Sequence, residues 1–191
     1  MNEDIDAEIA RTIKVLKDGG VILYPTDTIW GVGCDATNHK AVDKVYRIKK
    51  RRENKSLIIL VNGFEMLGQY VDKVPDIASD LFDNINKPVT VIYDSARNLP
   101  KNVGGADGTI AIRIVKDEFC SRLISEFGHP VISTSANISG EAAPLVFSKI
   151  SDTIKKQVDY TVQLYHDLFM QAKPSTIIRL SGNGDYKIIR E

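Results

Sequence analysis

Apolar residues at Ile5, Ile9, Ile13 and Leu16 recur at helical intervals, and the Gly19-Gly20 pair supplies a stop. "VILY" (21–24) then reads as a short buried strand. Asn38 is placed to cap a second helix whose Val42, Val45 and Tyr46 face inward. "SLIILV" (56–61) is apolar throughout, the pattern of a strand covered on both faces and therefore central. Helical spacing returns around Phe64 to Tyr70 and over Pro75 to Ile85, with Pro75 at a first-turn position. "PVTVIY" (88–93) and "TIAIRI" (109–114) are strands, separated by "DSARNLPKNVGGADG", a long connection of the functional or mobile kind. "DEFCSRLISEFG" (117–128) is an amphipathic helix ended by Gly128, and "PVIST" (130–134) is a further strand. Residues 146–158 read as one more helix, and "YTVQLY", "STIIRL" and "YKIIRE" close the chain as strands.

Helices and strands alternate early and strands dominate late, with no repeat or linker between them. The pattern predicts a single α/β domain over residues 1–191. Its sheet is mixed, because the last strands follow one another too closely for parallel crossovers. Apolar content of 43% and charged content of 26% are ordinary for a globular protein. No run is long enough to span a bilayer, and the acidic N-terminus does not resemble a targeting peptide, so cytoplasmic residence is the default expectation. Two cysteines, Cys34 and Cys120, are read as reduced, and three scattered histidines make no zinc-ligand spacing.

Charge changes the picture locally. Lys plus Arg balances Asp plus Glu at 25 each, yet "RIKKRRENK" (47–55) concentrates six cations against Glu53. One positive patch on a neutral chain suits a compact polyanion better than a duplex footprint. Three strand ends carry neutral hydrogen-bonding groups: Pro25-Thr26-Asp27-Thr28, "STSANISG" (133–140), and Ser175-Thr176. Each also has a plain reading as a cap or turn, and Trp30 alone reads as core. Arg113 interrupts an alternating apolar strand, so it either faces solvent or is buried against an anion. There is no P-loop, no dinucleotide fingerprint and no nucleophile elbow. What remains is equipment for positioning and charge stabilisation.

Together these segments resemble the YrdC/Sua5 family of threonylcarbamoyl-adenylate synthases. "GGVILYPTDTIWGVG" resembles its N-terminal signature, "IKKRRENKSL" its Lys-x-Arg segment, "STSANISGEAAP" its Ser-x-Asn element and "PSTII" its late Ser-Thr strand. Lys49 and Arg51 take the Lys-x-Arg register; Lys50 and Arg52 fit the following "NKSL" less well. The resemblance implies a twisted mixed sheet flanked by helices with a large basic concave cavity. It implies synthesis of threonylcarbamoyl-AMP from L-threonine, bicarbonate and ATP, with Mg²⁺ and no organic cofactor, feeding tRNA t6A modification. Thr28, Arg113, Ser133 and Ser175 would surround threonine. Arg51, Lys55, Thr109, Ser135, Asn137 and Arg190 would contact ATP. Lys49 and Arg51 would offset phosphate and transition-state charge, with no covalent nucleophile and no protein-held metal.

The implied partners are the small substrates and downstream tRNA threonylcarbamoyl-transfer proteins, with no membrane; weak tRNA contact stays open. Trp30 replaces a more usual Tyr or Phe, Leu60 stands where longer members carry His, and Lys173 stands at the mouth. The resemblance is to the short, single-domain form. Two rival readings are an RNA-binding module without chemistry and a carbamoyl-transfer enzyme. Neutral net charge argues against the first. The second belongs to larger chains with acylphosphatase and zinc-finger segments.

Overall fold

The computed structural model describes residues 2–51, 56–85, 87–167, 174–181 and 185–191. Helix α1 (Asn2–Lys17) buries Ile5, Ile9 and Leu16, as its spacing predicts, and packs on α5 (Glu118–Phe127). Helix α2 (His39–Ile48) is capped by the Asn38 side chain, which accepts from the Ala41 N–H at 3.2 Å. Its Val42, Val45 and Tyr46 are buried. Asp117 caps α5 in the same way at the Cys120 N–H, and Gly128 ends it in the left-handed region at φ 80°.

Nine strands among the described residues form one mixed sheet: β1 (Ile22–Tyr24), β2 (Gly31–Gly33), β3 (Ile58–Val61), β4 (Val89–Tyr93), β5 (Ile110–Ile114), β6 (Val131–Ser135), β7 (Tyr160–Thr161), β8 (Thr176–Leu180) and β9 (Tyr186–Arg190). Their spatial order is β7-β1-β2-β6-β3-β5-β4-β8-β9, so β3 is central as its apolar run predicts. Pairs β1/β7, β3/β5 and β4/β8 are parallel and the others antiparallel.

Side chains alternate across the sheet. Val91, Ile112 and Ile114 meet Phe64 and Leu67 of α3 (Phe64–Tyr70) and Ala78 and Phe82 of α4 (Ile77–Asn84). The opposite face is left for Ile58, Ile92, Ala111, Arg113 and Ser133. No helix of the described residues is long and apolar enough to cross a membrane, and both cysteines are buried and unpaired.

"GVG", to which the sequence pattern assigns no element, is strand β2: Tyr24 pairs with Gly31, and "PTDTIW" is the six-residue hairpin loop between β1 and β2. Gly33 serves close approach there. An added Cβ would run into the Ile132 carbonyl oxygen and stand 2.7 Å from the Tyr24 ring, whose hydroxyl donates to that same carbonyl at 2.9 Å. Residues 146–158 are not one helix but a 3-10 turn, Phe147–Lys149, and a single-turn helix α6 (Asp152–Lys155), because Ile150 and Ser151 are extended and Ser151 caps a new start. Pro75 stands before α4, with its carbonyl accepting from the Ala78 N–H. Only Tyr160 and Thr161 of "YTVQLY" pair as strand. The long 94–108 connection is pinned by backbone bonds Leu57–Val103, Arg97–Tyr70 and Ala96–Gly108.

Glu8 ties α1 to the far edge of this sheet. Its buried carboxylate accepts from the Tyr160 hydroxyl at 2.8 and 2.9 Å, the Gln163 N–H at 2.8 Å and Arg11 at 2.7 Å. Burial raises its pKa, but the Gln163, Tyr160 and Arg11 bonds outweigh that and hold it below the ordinary value. A carboxylate lowered on folding contributes stability above its unfolded pKa of about 4.3. That contribution is lost as pH falls through the folded value. Glu8→Gln is expected to cost about 2–4 kcal/mol at neutral pH in chemical denaturation. The cost should shrink steadily below about pH 4.

Candidate active site

One cavity of about 370 Å³ opens on the face of the sheet opposite α3 and α4. Its floor is a row of cross-strand neighbours, Ile92 beside Ala111, Ala111 beside Ile58, and Ile58 beside Ser133. The period of two then adds Arg113 after Ala111, Ser135 after Ser133, and Ile177 after Ser175. The β1–β2 hairpin loop supplies Thr28, and Arg51 enters from the end of α2. Arg190 arrives through a register shift between β8 and β9, which sets it opposite Ile177 instead of one place along.

The charge of this cavity is one-sided. Arg51, Arg113 and Arg190 line it, and among the described lining residues there is no carboxylate. Burial lowers the Arg51 pKa, and burial together with Arg113 lowers that of Arg190. Arg51 donates to the Ser56 carbonyl at 2.7 Å and Arg190 to the Ser175 carbonyl at 2.8 Å, so backbone oxygens hold both heads.

Arg113 is the most constrained of the three, only 3% exposed. Its Nη2 forms an ion pair with Asp27 Oδ1 at 3.1 Å, but the two are not aligned as a hydrogen bond. Nε and Nη2 are both left without a hydrogen-bond partner. Those two atoms form the side-on fork that grips a carboxylate with two parallel bonds. The sequence left Arg113 between solvent and a buried anion, and the structure answers with Asp27.

Hydroxyls complete the lining. Thr26 donates its one proton to the Ile29 carbonyl at 2.8 Å, so in the 2.9 Å contact between Thr26 and Thr28 the Thr28 hydroxyl is the donor. Thr28 therefore turns lone pairs to the cavity. Ser175 meets Thr90 at 2.7 Å.

Seven of the residues singled out in the sequence thus share one cavity: Thr28, Arg51, Arg113, Ser133, Ser135, Ser175 and Arg190. Lys49, Thr109 and Asn137 lie off its lining, and Lys55, with Lys173, falls outside the described residues. Thr109 donates to Asp107 at 2.6 Å. Asn137 donates to the Ile138 and Glu141 carbonyls, and its Oδ1 is buried without a partner. Lys49, 1% exposed at the end of α2, donates to the Ser135 carbonyl and, at 2.6 Å, to the Asn137 carbonyl. The Ser139 N–H returns a bond to the Lys49 carbonyl at 2.8 Å. Lys49 thus fastens the 135–139 loop to α2. Trp30 is core, tilted against Phe147 at 4.8 Å and edge-on to His166. Leu60 is buried and off the cavity. Sequence reasoning missed the apolar floor and Asp27's partner, although the alternation along β5 and β6 carried a signal for the floor.

A family model described as "Telomere recombination", Sua5_yciO_yrdC, matches residues 14–191. The chain belongs to the Sua5/YciO/YrdC family. Within that family, a protein of Pseudoalteromonas translucida named threonylcarbamoyl-AMP synthase is 38% identical over 172 residues, covering 88% of this chain and 91% of its own. The E. coli YciO structure superposes with a TM-score of 0.82 at 25% identity, covering 96% of this chain and 88% of YciO. P. abyssi Sua5 complexed with L-threonine gives a TM-score of 0.82 at 25% identity over 90% of this chain. The match spans 50% of that Sua5 chain, so this chain is about half its length. The twisted mixed sheet flanked by helices is the Sua5/YciO/YrdC fold.

Burial, with Arg51 close by, pulls the Lys49 pKa down to about 8. Its unfolded value is about 10.4, so the ammonium disfavours folding at neutral pH and stability rises between the two values. Chemical denaturation is therefore expected to show stability rising between about pH 8 and 10. Lys49→Met should flatten that rise.

Proposed function

We propose that the chain makes threonylcarbamoyl-AMP from L-threonine, bicarbonate and ATP, releasing pyrophosphate. The observation that carries the reading is the buried Arg113, ion-paired to Asp27 but with no aligned hydrogen bond at Nε or Nη2, lining a cavity with Arg51 and Arg190 and no carboxylate among its described lining residues. The Nε–Nη2 fork fits the carboxylate of an amino acid. Relatives named threonylcarbamoyl-AMP synthase and a family structure holding L-threonine agree with it.

In this reading Arg113 grips the threonine carboxylate, and the Thr28 lone pairs receive the amine N–H. Ser133 and Ser175 stand beside them. The amine attacks bicarbonate carbon and water leaves, giving a carbamate. A carbamate oxygen then attacks the α-phosphorus, the bond to the β-phosphate oxygen breaks, and pyrophosphate departs. Nucleophile and electrophile are both anionic, so Arg51 and Arg190 offset their repulsion and the charge that develops on the leaving group. Ser135 and Asn137 contact the nucleotide on a loop that Lys49 holds in place. Lys55 and Thr109 complete the nucleotide contacts, Thr109 from the head of β5.

No group of three or more potential ligands for a metal is present among the described residues, and no carboxylate among them lines the cavity. Mg²⁺ therefore enters with the triphosphate as part of the substrate. Positioning and charge do the work, and no side-chain nucleophile is required. The product would pass to the proteins that transfer the threonylcarbamoyl group to tRNA, in the cytoplasm.

Purified protein is expected to release pyrophosphate from MgATP only when threonine and bicarbonate are both present. Release that is indifferent to threonine would overturn the reading. Arg113→Lys keeps the charge but loses the fork, so it should raise the threonine KM by about 10- to 100-fold with the ATP KM little changed. Arg51→Ala should instead lower kcat by about 100-fold or more.

A further inference from the structure

Asp27 sits between two cavities. On one side it pairs with Arg113, which lines the cavity already described. On the other it lines a second cavity of about 340 Å³ with Asp117, Lys87, Lys116 and the apolar side chains of Phe82 and Ile114. The Asp27 side chain is 11% exposed, and its Oδ1 has no hydrogen bond although it lies 3.1 Å from the guanidinium. Across the same space, Asp117 spends Oδ1 on the α5 cap and leaves Oδ2 buried without a partner. Two carboxylates thus flank one buried guanidinium, and neither has its full complement of donors.

Resting on the reading of the first cavity as an amino-acid site, we propose that Asp27 is a positioning residue and the resident counter-ion of the carboxylate subsite: it aims the Arg113 fork into the cavity and takes up a proton when the substrate carboxylate arrives. The argument is one of charge. In the free protein Arg113 is neutralised from behind by Asp27. A substrate carboxylate on the fork would place a third anion near one guanidinium, with Arg190, close enough to feel the Arg113 charge, as a further cation. Like charges that close in a buried space cannot all persist, and the weakest-held carboxylate takes a proton.

Asp27 is that group, because the oxygen it turns to Arg113 has no aligned donor, whereas Asp117 is held by the α5 cap. The groups that face it are Arg113 from β5, Asp117 and Cys120 from the start of α5, and Lys87 and Lys116 across the second cavity. Tyr165 and Glu118 bear on the Asp117 neighbourhood. Burial already raises the Asp27 pKa, with Arg113 opposing and Asp117 adding to the rise, and burial raises that of Asp117. A proton on Asp27 removes the competing charge while its other oxygen continues to face Nη2.

The test is threonine binding by calorimetry, without ATP, in buffers of different ionisation enthalpy between about pH 5 and 8. The expected result is uptake approaching one proton per threonine, with affinity falling by up to about tenfold per pH unit across the window of uptake. Asp27→Asn keeps an oxygen facing Arg113 but cannot titrate. It should abolish the uptake and flatten the threonine KM against pH, leaving the ATP KM profile unchanged. Threonine binding without proton uptake at any pH, or uptake undiminished in Asp27→Asn, overturns this inference alone. Absence of threonine binding in the wild type overturns the reading of the cavity and this inference with it. Should Asp27→Asn fail to fold, the Asp27 carboxyl signal followed by isotope-edited NMR in the wild type decides, by shifting or not shifting to its protonated position on threonine addition.

Discussion

A guanidinium buried in the middle of a sheet is the constraint around which this protein is arranged. Arg113 occupies a strand otherwise made of Ile and Ala, and removing its charge from water is expensive unless the surroundings answer it. Asp27 answers it from the β1–β2 hairpin loop, so that loop must fold over the sheet and not project from it. Folding over requires the β1, β2 and β6 backbones to pack tightly, and Gly33 permits this by leaving room for the Ile132 carbonyl and the Tyr24 ring. The loop is locked by Thr26, which bonds to Ile29 and Thr28 at once.

The same constraint explains why the site is built mainly from neutral donors and arginines. The balancing carboxylate stands behind Arg113, so the cavity itself stays positive and receptive to anions. Arginine keeps its charge when half-buried, and backbone carbonyls hold Arg51 and Arg190 without cancelling them. Lys49, whose charge is less secure when buried, is used as a strut between α2 and the 135–139 loop. Division of labour by residue type follows from the physics of each head group.

Much of this was legible along the chain. The cap at Asn38, the stop at Gly128, the central apolar β3 and the mixed sheet are local or period-two signals, and each survives folding because packing agrees with it. The failures have equally local causes. Residues 146–158 hold apolar residues at helical spacing, but Ser151 competes as a cap and splits the stretch. "GVG" has too few side chains to show a strand period, and only its partners β1 and β6 reveal it.

By itself the sequence determined most of the element types, the family signature and which residues were chemically suited to an anionic site, since propensity, periodicity and side-chain chemistry are properties of short segments. Only the tertiary structure decided which of those residues meet. The register of β3, β5 and β6 lays Ile58, Ala111 and Ser133 in one floor, and a bulge between β8 and β9 brings Arg190 to its edge. Pairing of Asp27 with Arg113 joins residues far apart in the chain, and no local pattern encodes it. Such contacts depend on strand order and backbone approach, which are set by burial over the whole core.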